Sequence, residues 1–119
     1  MLKRALEFVY MPLFERTRKG LLDDDEMKRV EDALLQDPDL GVLMGDTGGV
    51  RKLRAAKKHR GKSGSARVVY LHQAEWETVI FLLAFDKNVQ GNLTASQRKM
   101  LRHIAEMIRR EEWPRRRLA

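Results

Sequence analysis

Residues 50–85 read VRKLRAAKKHRGKSGSARVVYLHQAEWETVIFLLAF, and how this tract divides decides the fold. Val50–Lys57 alternates, with Lys52 and Arg54 on one face and Leu53 and Ala55 on the other, the period of a strand. Residues 58–65, KHRGKSGS, hold nothing apolar to bury, and Gly61 and Gly64 relax the backbone, so they form a loop tip. Arg67–Gln73 is the returning strand and Glu75–Glu77 a turn. Thr78–Phe85 is apolar on both faces, which marks an interior strand covered on both sides. Three strands joined by short turns make a meander.

The flanks complete it. Leu6–Tyr10 is a first strand in which Leu6, Phe8 and Tyr10 alternate with Glu7 and Val9. Pro12 opens a short helix that runs to about Lys19 and stops at Gly20. Asp23 and Glu26 make a D-x-x-E start ahead of Met27, Val30, Ala33 and Leu34, so Asp24–Gln36 is an amphipathic helix ended by Asp37-Pro38. After the break at Gly91-Asn92, Thr94 and Gln97 cap a last helix over Ala95–Glu112, with Met100, Leu101, Ile104, Ala105 and Ile108 as its apolar stripe. The order β-α-α-β-β-β-α predicts an α+β fold: a small, mostly antiparallel sheet with the first strand at its edge and helices packed on one face. The other face is expected to stay open and to carry Lys52 and Arg54. Residues 1–112 are expected to form one domain, followed by a basic tail at 113–119.

Charge narrows the partners. The net charge is +7, which favours an anionic partner such as nucleic acid, an acidic protein or an anionic membrane surface. Nine acids against two bases between Asp23 and Asp46 set an acidic segment apart from the basic ones. Eight of the seventeen residues from Arg51 to Arg67 are Lys or Arg with no acid among them, so the basic character centres on the hairpin. The lack of cysteine excludes disulfides, thiolate catalysis and Cys-ligated zinc, and fits a reducing cytoplasm. The basic-then-apolar start is interrupted by Glu7 and lacks a small-residue cleavage site, so no signal peptide is expected. No apolar run reaches membrane-spanning length.

Several patterns are decoys. Gly61-Lys62-Ser63 resembles the end of a P-loop, but Ala56 stands where the first glycine belongs and a strand follows instead of a helix. His59, His72 and His103 have no metal-ligand spacing, and no metal or cofactor is expected. Ser63 and Ser65 lack a nucleophile elbow. Trp76 and Trp113 read as packing residues. What remains is the basic hairpin, whose strand alternation and antiparallel pairing can bring Arg54, Arg67 and Lys87 onto one surface, as phosphate contact requires.

The tract TGGVRKLRAAKKHRGKSGSARVVYL (47–71), followed by IFLLAFDKNVQGNLTASQRKML (80–101), resembles the RelE/HigB family of bacterial type II toxins, nearest to the HigB branch. The resemblance covers roughly residues 6–108. It implies a RelE-like fold and a ribosome-dependent endoribonuclease that cuts mRNA and inhibits translation. It also implies a cognate antitoxin that binds and blocks the toxin, with operator DNA contacted through that antitoxin. Carried over by motif, Arg54, Arg67 and Lys87 are the catalytic cations, while Lys52, Lys57, Lys58, Arg60 and Lys62 grip RNA. The alternative for Arg67 is a cross-strand ion pair. The alternative for the whole chain is a non-catalytic RNA- or DNA-binding module, or a decayed toxin that only binds an antitoxin. The chain departs from some relatives in having no Tyr after Tyr70. The general base is thereby left open among a lysine crowded by cations, Asp86 and the ribosome itself.

Overall fold

Capping and alternation build the elements where the sequence puts them. The structure, a computed structural model, describes residues 5–55 and 65–111. Its elements are β1 (Glu7–Tyr10), α1 (Pro12–Arg18), α2 (Asp24–Gln36), β2 (Val42–Leu43), β3 (Arg51–Ala55), β4 (Ala66–Gln73), β5 (Thr78–Asp86), α3 (Lys87–Gln90) and α4 (Ala95–Glu111). Asp23 Oδ1 accepts from the Glu26 amide at 2.7 Å and the Asp23 amide donates to Glu26 Oε1 at 2.9 Å, so the expected capping box starts α2. Thr94 and Gln97 make the same reciprocal pair ahead of α4, at 3.1 and 2.9 Å. Two elements were not foreseen: β2 is too short to show alternation, and α3 is a single turn.

The five strands lie in the order β1-β5-β4-β3-β2. β1 runs parallel to β5, with Glu7 opposite Thr78 and Tyr10 opposite Phe81, and the remaining neighbours are antiparallel. The sheet is thus mixed and mostly antiparallel, with the first strand at an edge. β5 carries one extra residue, because Val69 faces Leu83 while Tyr70 faces Phe81, leaving Leu82 without a partner.

The helices were expected on one face, and here the structure differs. Val68, Tyr70, Val79, Phe81 and Ala84 pack with Phe14 of α1 and with Met27, Val30 and Leu34 of α2. Val69, Leu71, Ile80, Leu82, Leu83 and Phe85 pack instead with Leu101, Ala105 and Ile108 of α4. Each large aliphatic or aromatic side chain gains about 1.5–3 kcal/mol on burial. A sheet apolar on both sides therefore needs a helix on both, and α4 supplies the second layer. Only part of the second face stays free of α4.

Phe81 sits at the centre of the first layer. It is fully buried, with ring centroids of Phe8, Tyr10 and Phe14 at 5.8, 4.9 and 5.1 Å. Tyr70 anchors the loop between α2 and β2, donating its hydroxyl to the Pro38 carbonyl at 2.8 Å and accepting from the Gly41 amide at 2.9 Å. A Cβ on Gly41 would lie 2.8 Å from Tyr70 Cε1 and 3.0 Å from the Lys52 carbonyl oxygen, inside contact distance of a ring and a strand. Gly41→Ala should therefore cost about 1–3 kcal/mol, the usual penalty of forced overpacking. Urea unfolding reads the loss directly, and an unchanged midpoint would mean that the loop yields freely. No described helix is long and apolar enough to cross a membrane.

Candidate active site

β3 and β4 pair so that Arg54 stands directly opposite Arg67, and β4 and β5 pair so that Arg67 stands opposite Phe85. Arg54 is exposed, whereas Arg67 is only 8 % exposed. Like charges directly across a ladder destabilise it. Burial first, and then the positive charge of Arg54, hold the Arg67 guanidinium below its ordinary pKa, while Asp86 pulls it up. Arg67 Nη1 donates to the Ala66 carbonyl at 3.3 Å. Neither register partner of Arg67 is acidic, so the ladder sets no carboxylate directly opposite it. A sheet that accepts such a cation pair against its own stability is a functional-site candidate.

Lys87 closes the same end of the sheet. It begins α3, is exposed, and its amide donates to the Ser65 carbonyl at 2.8 Å, two residues from Arg67. Lys52 lies half-buried opposite Val69, on the same face and one pleat from Arg54. Register thus brings Lys52, Arg54 and Arg67 onto one face, with Lys87 at its end. Lys57, Lys58, Arg60, Lys62 and His59 lie outside the described residues, as do Trp113 and the 113–119 tail.

The acid–base candidates sort by position. Asp86 faces Ala66, whose side chain belongs to the α2 side of the sheet, so the carboxylate is set on the face away from Arg67. Its Oδ1 accepts from the Asn88 amide at 2.9 Å and caps α3. The chain has two tyrosines, and both serve the α1–α2 side. Tyr10 donates to Glu31 Oε2 at 2.5 Å, and burial followed by that bond raises its pKa. Tyr70 is raised chiefly by burial. Protonated phenols held this way are poor proton shuttles at neutral pH. His72 lies toward the far end of β4, its Nδ1 2.8 Å from Asp39 Oδ1, and His103 is exposed on α4. No group of His, Asp and Glu among the described residues is arranged to hold a metal.

A cleft of about 400 Å³ does exist, lined by Tyr10, Glu15, Arg18, Asp24 and Glu31 among others. Its three carboxylates outnumber its two cations, Arg18 and Lys28, and it opens on the α1–α2 side, away from the cation pair. Arg54 also borders a smaller cleft of about 210 Å³ with Glu26 and Arg29 of α2, but the cation pair lies toward an open sheet end, a shape that suits a long polyanion better than an enclosed small molecule. Fold and site together define a small α+β domain that displays paired cations on a rigid strand frame. Residues 11–112 match the family model described as the RelE toxin of the RelE/RelB toxin–antitoxin system, and the chain belongs to that family. Among solved structures, the E. coli toxin RelE in the free state, as an arginine double mutant, is similar with a TM-score of 0.49 and 15% identity. The match covers 73% of this chain and 88% of that one.

Proposed function

We propose that this protein is the toxin of a type II toxin–antitoxin pair and that it cuts mRNA on the ribosome without a metal. The observation that carries this reading is the opposed pair of Arg54 and Arg67, one exposed and one buried, on adjacent strands. RNA brings its own nucleophile. The 2′-hydroxyl loses its proton and attacks the adjacent phosphorus, and the 5′-oxygen leaves with a proton. The products are a 2′,3′-cyclic phosphate and a 5′-hydroxyl. The protein must align that attack and stabilise the charge of the pentavalent phosphorane. Arg54 and Arg67 neutralise its equatorial oxygens, and Lys87 neutralises the leaving oxygen. Lys52, Lys57, Lys58, Arg60 and Lys62 hold the RNA and ribosomal backbone through charge. A cognate antitoxin binds the toxin and blocks it, and operator DNA is reached through that antitoxin.

The ribosome has work to do in this scheme, because the described residues place neither an imidazole nor a phenol beside Arg67. Primer extension on an mRNA under translation should show discrete cuts ending in cyclic phosphate, with the same RNA almost untouched when naked. Equal cutting of naked RNA would overturn ribosome dependence. Salt-sensitive RNA binding with no cuts in either setting would favour the non-catalytic binding module.

A further inference from the structure

We infer that Arg109, supported by Arg98, is a positioning residue that clamps the turn ahead of β3 and so holds Arg54 in place opposite Arg67. The turn is Met44–Val50. Buried Thr47 donates its hydroxyl to the Met44 carbonyl at 2.7 Å and accepts from the Val50 amide at 3.2 Å, and the Met44 amide donates to the Val50 carbonyl at 2.9 Å. Gly48 and Gly49 have φ of +75° and +101°, which side-chain-bearing residues rarely adopt. α4 lies against their bare backbone. A Cβ on Gly48 would stand 3.6 Å from the Ala105 Cβ, and one on Gly49 would stand 2.6 Å from Arg109 Nη2.

Two arginines of α4 grip this backbone, about three helical turns apart and hence on one side of the helix. Arg109 Nη1 donates to the Gly48 carbonyl, and Arg98 Nη1 donates to the Gly45 carbonyl at 3.2 Å. α4 itself is already fixed by the burial of Leu101, Ala105 and Ile108, so these guanidiniums are not needed to dock it. What they fix is the turn. β3 depends on it, because β2 pairs only with Arg51 and Lys52 and gives Leu53, Arg54 and Ala55 no ladder partner on that edge. The direction in which β3 leaves Val50 therefore sets where Arg54 stands.

The effect on cleavage rests on the ribonuclease reading, whereas the effect on the turn does not. Full-length Arg109→Ala, Arg109→Lys, Gly49→Ala and Arg110→Ala are compared by amide hydrogen exchange, by single-turnover cleavage on translating ribosomes and by ribosome affinity. In Arg109→Ala, exchange at Met44 and Val50 should accelerate about fivefold or more while Phe81 and Leu82 keep the parental rate. Cleavage should fall about tenfold, since a displacement of 1 Å can cost a hundredfold, with affinity unchanged within about twofold. Arg109→Lys, which can still donate to Gly48, should recover part of both. Gly49→Ala pushes the guanidinium aside with its charge intact and should reproduce the loss, and combining it with Arg109→Ala should add little. Arg110→Ala removes an exposed charge from the same helix turn and should change neither reading. Parental exchange at Val50 in Arg109→Ala would overturn the clamp. So would an equal cleavage loss in Arg110→Ala, or a loss confined to affinity. A parent chain that cuts nothing would sink the ribonuclease reading instead, and the exchange rates at Met44 and Val50 would then decide the clamp by themselves.

Discussion

Arg67→Ala is expected to cut mRNA roughly a hundredfold more slowly than the parent protein, the order seen when a preorganised electrostatic donor to a transition state is removed. Arg67 is held by burial between Arg54 and Phe85 on the strand ladder, so its charge needs no reorganisation as the phosphorane forms. Arg67→Lys should recover only part of the rate. A lysine ammonium is a point charge and cannot bridge two phosphate oxygens as a planar guanidinium does. Ribosome binding should persist in both variants, because the other cations remain to make phosphate contacts. Cleavage and ribosome affinity measured on the same folded preparation separate these roles. An Arg67→Ala protein that cuts at the parental rate would make Arg67 a structural arginine and remove the centre of the proposed site.

Phe81→Ala should be the costliest single truncation in the core, at about 3–5 kcal/mol. The ring is fully buried in β5 and touches aromatic rings from β1 and α1, so its loss opens a cavity where β5 meets two elements from the other end of the chain. Domains of this size hold about 5–15 kcal/mol in all, which leaves the variant near the edge of folding. The urea midpoint should fall steeply with the slope unchanged. Val89→Ala, at a side chain 86% exposed, should stay within about 0.5 kcal/mol of the parent. A Phe81→Ala cost below about 1 kcal/mol would show that this layer is not the main apolar contact between α1 and the sheet.

Much of the fold was legible because local signals and tertiary contacts agree. The capping pairs at Asp23–Glu26 and Thr94–Gln97 are contained within single turns, so the starts of α2 and α4 could be read to the residue. The two-sided apolar run of β5 announced an interior strand. It did not say which element covers which face, because α4 and the α1–α2 pair offer equally apolar stripes. β2 was invisible, since two residues carry no period. The cation pair was half legible: the residue types and the strand alternation of Lys52 and Arg54 were plain, but pairing Arg54 with Arg67 requires the register across an intervening loop. The turn at Thr47 gave a different problem. Its glycines make sense only once Arg98 and Arg109 are seen against it, from a helix about fifty residues further along the chain.

The unpaired residue in β5 reaches further than a local kink. Side chains along a strand alternate, so one added residue reverses the parity of everything after it. Without Leu82 outside the ladder, Phe85 would fall opposite Ala66 and turn toward α1 and α2, and Asp86 would fall opposite Ser65, on the same face as Arg67. The cation pair would then share its face with a carboxylate and its pull on phosphate would weaken. With the bulge, the ring of Phe85 stands opposite Arg67 and the acid is turned to the other side of the sheet, where it caps α3. The sign of the potential at this end of the molecule is thus set by chain length as much as by composition. The aspartate is tolerated one position from the cations because the backbone miscounts once before reaching it.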